Sequence, residues 1–156
     1  MELYEQWLQA ANDAGLKVKE NLPFESSAKG LIYGNCIGLS NKINKSSEKS
    51  CILVEEMGHH YTGIGNILNL SDERNRKQEA RGRLWAYNEL IGFSGIIQGY
   101  RAGCHSSHEL AEFLEVTEEF LQDAINCYRE KYGIYVEVDK YIIMFEPSLT
   151  VIQKYK

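Results

Sequence analysis

Residues 51–63, CILVEEMGHHYTG, place two adjacent carboxylates and two adjacent histidines inside an otherwise apolar segment. In a helix, residues four apart lie on the same face, so Glu55 faces the same side as His59. A carboxylate oxygen and an imidazole nitrogen are both zinc ligands, and at this spacing they can bind one ion. The segment therefore predicts two ligands of a metal site on one helix.

A catalytic zinc ion needs a third protein ligand and keeps its fourth position for water. We predict Glu79 as that third ligand, because an antiparallel pair of helices would bring its carboxylate back toward His59. Glu56 is rotated by about 100° from Glu55 around the helix, so it would face the water and act as the general base. Two carboxylates and one imidazole suit zinc, and they also suit manganese or iron.

Each of these residues also has a simpler interpretation. Glutamate and histidine on a helix are usually solvated surface residues, and an E-E-x-x-H string alone is a weak signal. His60 would point about 100° away from His59. Its alternative roles are an ordinary half-buried histidine, a hydrogen-bond donor to one of the ligands, or a group that stabilises an oxyanion. An arginine of the next helix, Arg74 or Arg76, would orient Glu79 or belong to a solvated face with Glu73.

The segments before this helix predict a short helix, a strand and a hairpin. Apolar residues recur at helical spacing over residues 2–14, and Gly15 ends the pattern. The alternation in residues 16–20, LKVKE, is typical of a strand. Gly34 and Asn35 separate two short apolar runs and tolerate the positive φ of a tight hairpin turn.

Capping signals divide the middle of the chain into two helices. We predict that Ser46 or Ser47 caps a helix over residues 48–61, and that Gly63 and Gly65 end it. Ser71 is expected to cap a second helix, DERNRKQEARGRLWAYNELI, which ends near Gly92. The middle of the glycine-rich stretch that follows, GFSGIIQGYRAG, is interpreted as helical.

The C-terminal third predicts two more helices and a hairpin. Ser106 and Glu109 have capping-box spacing, and Thr117 precedes EEFLQDAINCYREKYG. We therefore interpret the region of Cys104, His105 and His108 as the start of a helix rather than as a metal site. The tail IYVEVDKYIIMFEP alternates and turns at Asp139-Lys140, which predicts a final β-hairpin.

Length and composition predict the class of protein. The 156 residues fit one domain, and strands mixed with helices without βαβ alternation indicate an α+β fold over residues 1–156.

A net charge of −5 with dispersed Lys and Arg argues against nucleic acid as a direct partner. No apolar run approaches the ~18 residues that a membrane span needs. Four scattered cysteines without a C-x-x-C pair are expected to be reduced thiols in a cytoplasmic protein.

The segments CILVEEMGHHYTGIGNIL and RKQEARGRLWAYNELI resemble the ImmA/IrrE family of zincin-like metallopeptidases, in the variety found in prophages and mobile elements. The family pattern is H-E-L-G-H on the active helix, with a ligand glutamate on the next helix inside an E-x-x-A-x-x-x-A-like stretch. Glu55, Glu56 and His59 match the first ligand, the base and the second ligand, and Glu79 matches the third. The similarity covers about residues 15–130, and this chain departs from the pattern at Glu55, where the family has histidine.

The resemblance implies a zincin-like fold, a zinc cofactor and a function. Members are expected to be cytoplasmic proteases that cleave a helix-turn-helix repressor and so relieve repression of their element. In zincins an edge strand beside the active helix pairs with extended substrate, and residues 36–40 are the strand we expect there. That strand has the alternative role of covering the core.

Two other functions compete with proteolysis. Glu55 in place of histidine favours a zincin-like module that has lost zinc and antagonises its repressor by binding alone. The rhythm of SSHELAEFLEVTEEFLQDAINCYREKYG resembles a helix-turn-helix, but its second helix begins with acidic residues that would repel phosphate. We therefore expect this pair to pack internally or to meet a protein partner rather than DNA.

Overall fold

The computed structural model describes residues 2–63 and 72–154, with the backbone alone for residues 72–74. Gly65 and Ser71, which we predicted as a helix end and a helix cap, lie outside the described residues. The fold is α+β, as predicted, and the chain divides into two compact units, Met1–Ala86 and Tyr87–Lys156. A single domain over residues 1–156 stays a prediction.

The described residues form six helices and six strands. In chain order these are α1 (Leu3–Asp13), β1 (Lys17–Leu22), β2 (Gly30–Tyr33), β3 (Cys36–Ser40), α2 (Ser46–Thr62), α3 (Asp72–Leu90), α4 (Gly92–Arg101), α5 (Ser107–Leu114), α6 (Glu118–Tyr132), β4 (Tyr135–Val138), β5 (Tyr141–Met144) and β6 (Thr150–Gln153). Every helix and hairpin that the sequence predicts is found among them.

The sheet of the first unit has the strand order β1-β3-β2. Strands β2 and β3 form the predicted antiparallel hairpin, in which Tyr33 pairs with Cys36 across Gly34 and Asn35. Gly34 has φ of +62° at the first central position of this turn, where glycine is favoured. Strand β1 pairs with β3 in parallel, so the sheet is mixed rather than fully antiparallel.

Helices α1 and α2 cover one face of this sheet and complete its core. The alternation of β3 places Ile37 and Leu39 in the interior, where both side chains are almost fully buried. Leu53 and Met57, four residues apart on α2, pack into the same cluster. The buried stripe of α2 therefore fixes which way its opposite, polar residues face.

The start of α2 differs from the prediction. Neither Ser46 nor Ser47 is the N-cap, because the helix already begins at Ser46 and Lys45 takes the cap position without a side-chain hydrogen bond. Glu48 lies in the first turn, where its negative charge compensates the exposed N–H groups. At the other end, Gly63 ends the helix as predicted and donates its N–H to the carbonyl of His59.

The second unit begins within the last turn of α3 and contains the helices α4, α5 and α6. Ser106 accepts the N–H of Glu109 at 3.1 Å, and Thr117 accepts the N–H of Phe120 at 3.0 Å, which confirms both predicted caps. The Glu109 carboxylate accepts a backbone N–H in return, from His105. Ser106 thus caps the start of α5, and Thr117 caps the start of α6.

A three-stranded antiparallel sheet, in the order β4-β5-β6, closes the second unit. The hairpin of β4 and β5 turns at Asp139-Lys140 as predicted, with Asp139 at φ of +54°. Strand β6 was not predicted from the sequence. Tyr128 and Phe145 form a buried aromatic contact between α6 and the end of β5. No helix in the described residues has the length and apolar character that crossing a bilayer requires.

Candidate active site

Helix α2 presents the predicted site residues from its last two turns. Glu55 and Glu56 are half-buried, whereas His59 is buried, with a side chain only 7% exposed. Met57 and Gly58 of the same turn are buried too, and both Gly58 and His59 lie against Gly82 of α3. The polar residues are therefore held in a semi-enclosed position rather than on a fully solvated face.

Helix α3 reaches this position through a contact between two glycines. A Cβ atom added at Gly58 would overlap the carbonyl oxygen of Gly82 and lie 3.0 Å from its carbonyl carbon. The two helix backbones can approach this closely because Gly58 has no side chain. Glu79 lies one turn before Gly82 on α3 and is thereby brought beside His59.

His59 and Glu79, two of the predicted ligands, are in direct contact. Nε2 of His59 lies 3.2 Å from Oε2 of Glu79. The hydrogen bond to His59 holds the pKa of Glu79 below its usual value, with a smaller effect from the charge of Arg83. Burial opposes protonation of His59, but the hydrogen bond and negative charge of Glu79, with the charges of Glu56 and Glu55, raise its pKa above the ordinary value.

Glu56 is the most perturbed carboxyl of the site. Burial raises its pKa from 4.5 to about 7, and the negative charges of Glu55 and Glu79 add to that effect. His59 acts in the opposite direction but does not offset the burial. A carboxyl group with a pKa near neutrality can take up and release a proton at physiological pH, as a general base must.

The pair of His59 and Glu79 fits one metal ion, but the predicted set of three ligands is not found. Two ligand atoms of one tetrahedral zinc ion, each about 2.0 to 2.1 Å from it, lie about 3.3 Å apart, close to the 3.2 Å between this nitrogen and oxygen. Among the described residues, however, no three His, Cys, Asp or Glu side chains are grouped closely enough to hold an ion. Glu55 interacts electrostatically with both His59 and Glu56 without completing such a group.

The remaining histidines and arginines have other surroundings. His60 is exposed, and its ring contacts that of Tyr61 edge to face, with centroids 5.0 Å apart. His108 lies on α5, where its two ring nitrogens each contact a glutamate at 2.9 Å, Glu112 and Glu118. Arg83, which the sequence analysis did not single out, is the arginine whose charge acts on Glu79.

Strand β3, which we expected to offer an edge to substrate, is not at the edge of the sheet. Strand β3 (Cys36–Ser40) has β1 on one side and β2 on the other, so its backbone is paired within the sheet. Because β3 pairs with β1 as well as with β2, it is the central strand, and the edge that adjoins α2 is β2. A Cβ atom at Gly30 of β2 would lie 2.5 Å from Cγ2 of Ile52 and 3.2 Å from Cγ of Glu56, so this edge directly adjoins the proposed base.

The outward backbone groups of β2 can be assigned from its register. Bonded and non-bonded pairs alternate in an antiparallel ladder, and Ser40 donates its N–H to the carbonyl of Lys29. Gly30 and Ile32 are therefore in non-bonded pairs and direct their N–H and C=O groups away from β3. In the described part of the chain, no strand pairs with this side of β2.

Sequence reasoning missed the glycines that bring the site together. Gly82 lies in the interior of α3, where glycine is unfavourable and an unexplained occurrence indicates a packing requirement. Gly30 stands at the start of β2, where glycine permits close approach of another element.

Comparisons of the chain with protein-family models, with curated proteins and with solved structures each gave no significant match.

Proposed function

We propose that the chain is a zincin-like, metal-dependent peptidase of the ImmA/IrrE type, which cleaves a helix-turn-helix repressor of a phage or mobile element. The contact between His59 and Glu79 beside the buried carboxyl of Glu56 is the observation that supports this function. It joins the two helices on which the sequence predicts the ligands. The resemblance adds the repressor as substrate and the cytoplasm as the place of action.

The chemistry expected of this chain's own residues centres on Glu56. A bound zinc ion supplies Lewis acidity, which polarises a carbonyl and makes water more acidic. His59 and Glu79 would hold the ion, with manganese and iron as further candidates for such a ligand set. Glu56 would accept a proton from the attacking water on its carboxylate and pass it to the leaving amine.

Strand β2 is the part of the chain proposed to bind the substrate backbone. An extended peptide can add to a sheet edge through main-chain hydrogen bonds, which are independent of its side chains. Gly30 and Ile32 offer such groups next to Glu56. A repressor segment paired there would run past the base, so that one of its peptide bonds lies within reach of Glu56.

Cleavage of the cognate repressor tests this function. The full-length protein, reconstituted with zinc, is incubated with the purified repressor, and the fragments are identified by mass spectrometry. We expect wild type to cleave and Glu56→Gln to be inactive, because the amide cannot accept the proton. Glu89→Gln, a change at an exposed position ten residues after Glu79 on α3, serves as the matched control and should retain activity. Absence of cleavage with zinc, manganese and iron alike would refute the proposal.

A second candidate is a module that binds and antagonises the repressor without cutting it. The observation in its favour is that no group of three metal-binding side chains is found in the described residues. In this case β2 still binds the repressor, and Glu56 is not required. Relief of repression by Glu56→Gln as complete as by wild type, in a reporter strain, would select this function over proteolysis.

A further inference from the structure

The imidazole of His59 lies directly against the backbone of α3 at Gly82. A Cβ atom added at Gly82 would overlap Nδ1 of His59 and would lie 2.6 Å from Cε1 and 3.1 Å from Cγ. Real Cβ atoms essentially never come within 3.0 Å of another heavy atom. A side chain at this position therefore requires a shift, and the nearest atoms are those of the ring.

The space, rather than the backbone conformation, requires glycine here. Gly82 is absent from the positive-φ residues and has the ordinary conformation of the interior of α3. Alanine would favour that helix more than glycine does. The three nearest atoms to an added Cβ all belong to the ring of His59, so the advantage of glycine at this position lies in its contact with that one side chain.

Among the described residues, the usual way of orienting a ligand histidine is not found at His59. Such a ring generally donates its second N–H to a carboxylate or a carbonyl group, which sets its orientation. Nδ1 of His59 is buried and has no hydrogen-bond partner in the parts of the chain that the structure describes. The opposite nitrogen, Nε2, contacts Glu79, three residues before Gly82 on the same helix.

We propose that Gly82 is a positioning residue for the site. Because it has no side chain, it leaves a space that the His59 ring occupies, here called the seat, and the ring held there directs Nε2 toward Glu79. The functional meaning of this seat rests on the proposed function, in which both residues bind the metal. The seat itself is a packing relationship, so it can be tested whether or not the protein is a peptidase.

A double-mutant cycle on the metal-free full-length protein tests the seat. We expect Gly82→Ala to lower the thermal unfolding midpoint in wild type, because its Cβ displaces the ring. In a His59→Ala background the same change should raise the midpoint, because the ring is gone and alanine favours the helix. Equal effects of Gly82→Ala in both backgrounds would overturn the proposal.

A matched control is Gly95→Ala on α4, where an added Cβ would meet Leu114 Cδ2 at 3.3 Å and Cδ1 at 3.9 Å. Its effect should be the same with and without His59. If Gly82→Ala alone does not fold, folding of the double variant with His59→Ala supports the seat. Failure of the double variant to fold as well would overturn it.

Two further measurements separate positioning from stability and from function. In ¹H–¹³C NMR spectra, Gly82→Ala should shift the ring signals of His59 and leave those of His105 and His108 unchanged. Zinc titration should show at least ~10-fold weaker binding in Gly82→Ala than in Gly95→Ala. If wild type binds no zinc, the proposed function fails, while the stability cycle and the NMR shifts still decide the role of Gly82. Unshifted His59 signals would refute it.

Discussion

The backbone of Gly58 lies against the carbonyl oxygen of Gly82, so closely that a Cβ atom added at position 58 would overlap that oxygen. This contact sets the distance between α2 and α3 and therefore the 3.2 Å between His59 and Glu79. Because the opposing atoms are backbone, they cannot rotate away as a side chain would. The geometry of the site thus depends on two residues that have no chemistry of their own.

Replacing Gly58 by alanine should separate the two helices. Overpacking of this kind costs about 1–3 kcal/mol, partly offset by about 1 kcal/mol from the better helix propensity of alanine. We expect a net loss of up to about 2 kcal/mol in urea unfolding and weaker zinc binding. Gly95→Ala is again the control, and a Gly58→Ala variant as stable as that control would contradict the close approach.

Glu56 should make the metal-free protein less stable as pH rises. Its pKa is about 7 in the folded state against 4.5 ordinarily, so between these values the folded state holds a proton that the unfolded state has lost. Stability therefore decreases with rising pH over this window. We expect Glu56→Gln to be more stable than wild type at pH 8 by about 1–3 kcal/mol, and equal to it near pH 4. A difference independent of pH in chelator-treated protein would show that burial does not perturb this carboxyl.

Glu55→His should strengthen zinc binding by restoring an imidazole one turn before His59. Two histidines at this spacing bind one ion, and the variant replaces an anionic ligand with a neutral nitrogen. We expect at least ~10-fold higher affinity, equal to about 1.4 kcal/mol, in competition with a chromophoric chelator. Glu89→His adds a histidine elsewhere on α3 as the control. Unchanged affinity would mean that position 55 does not face the ion.

Ile32→Pro should weaken substrate binding without breaking the hairpin. The N–H of Ile32 points away from β3, so proline removes a donor from the free edge only, where it is tolerated. Loss of one such hydrogen bond costs about 0.5–1.5 kcal/mol, which predicts up to ~10-fold lower kcat/KM on the repressor. Ile32→Ala loses the same side chain but keeps the N–H. Equal activity of the two variants would exclude β2 as the substrate edge.

Much of the fold was predictable because its signals are local. The hairpin turn at Gly34, the caps at Ser106 and Thr117 and the helical periodicity of α1 depend on residues close in sequence, and all are found. The start of α2 was misplaced because Ser46 and Ser47 are good caps that the packed helix does not use. Strand β6 was missed because it is short and depends on pairing with β5.

By itself, the sequence determined which residues share a helix face and therefore which side chains carry the proposed chemistry. Spacing along α2 depends only on helix geometry, so Glu55, Glu56 and His59 were located without a structure. The sequence predicted that Glu79 approaches His59, but only the tertiary structure decided the 3.2 Å between them and made β2 rather than β3 the edge beside Glu56. Those outcomes depend on strand order and on how closely two helix backbones approach, which are properties of residues distant in the chain.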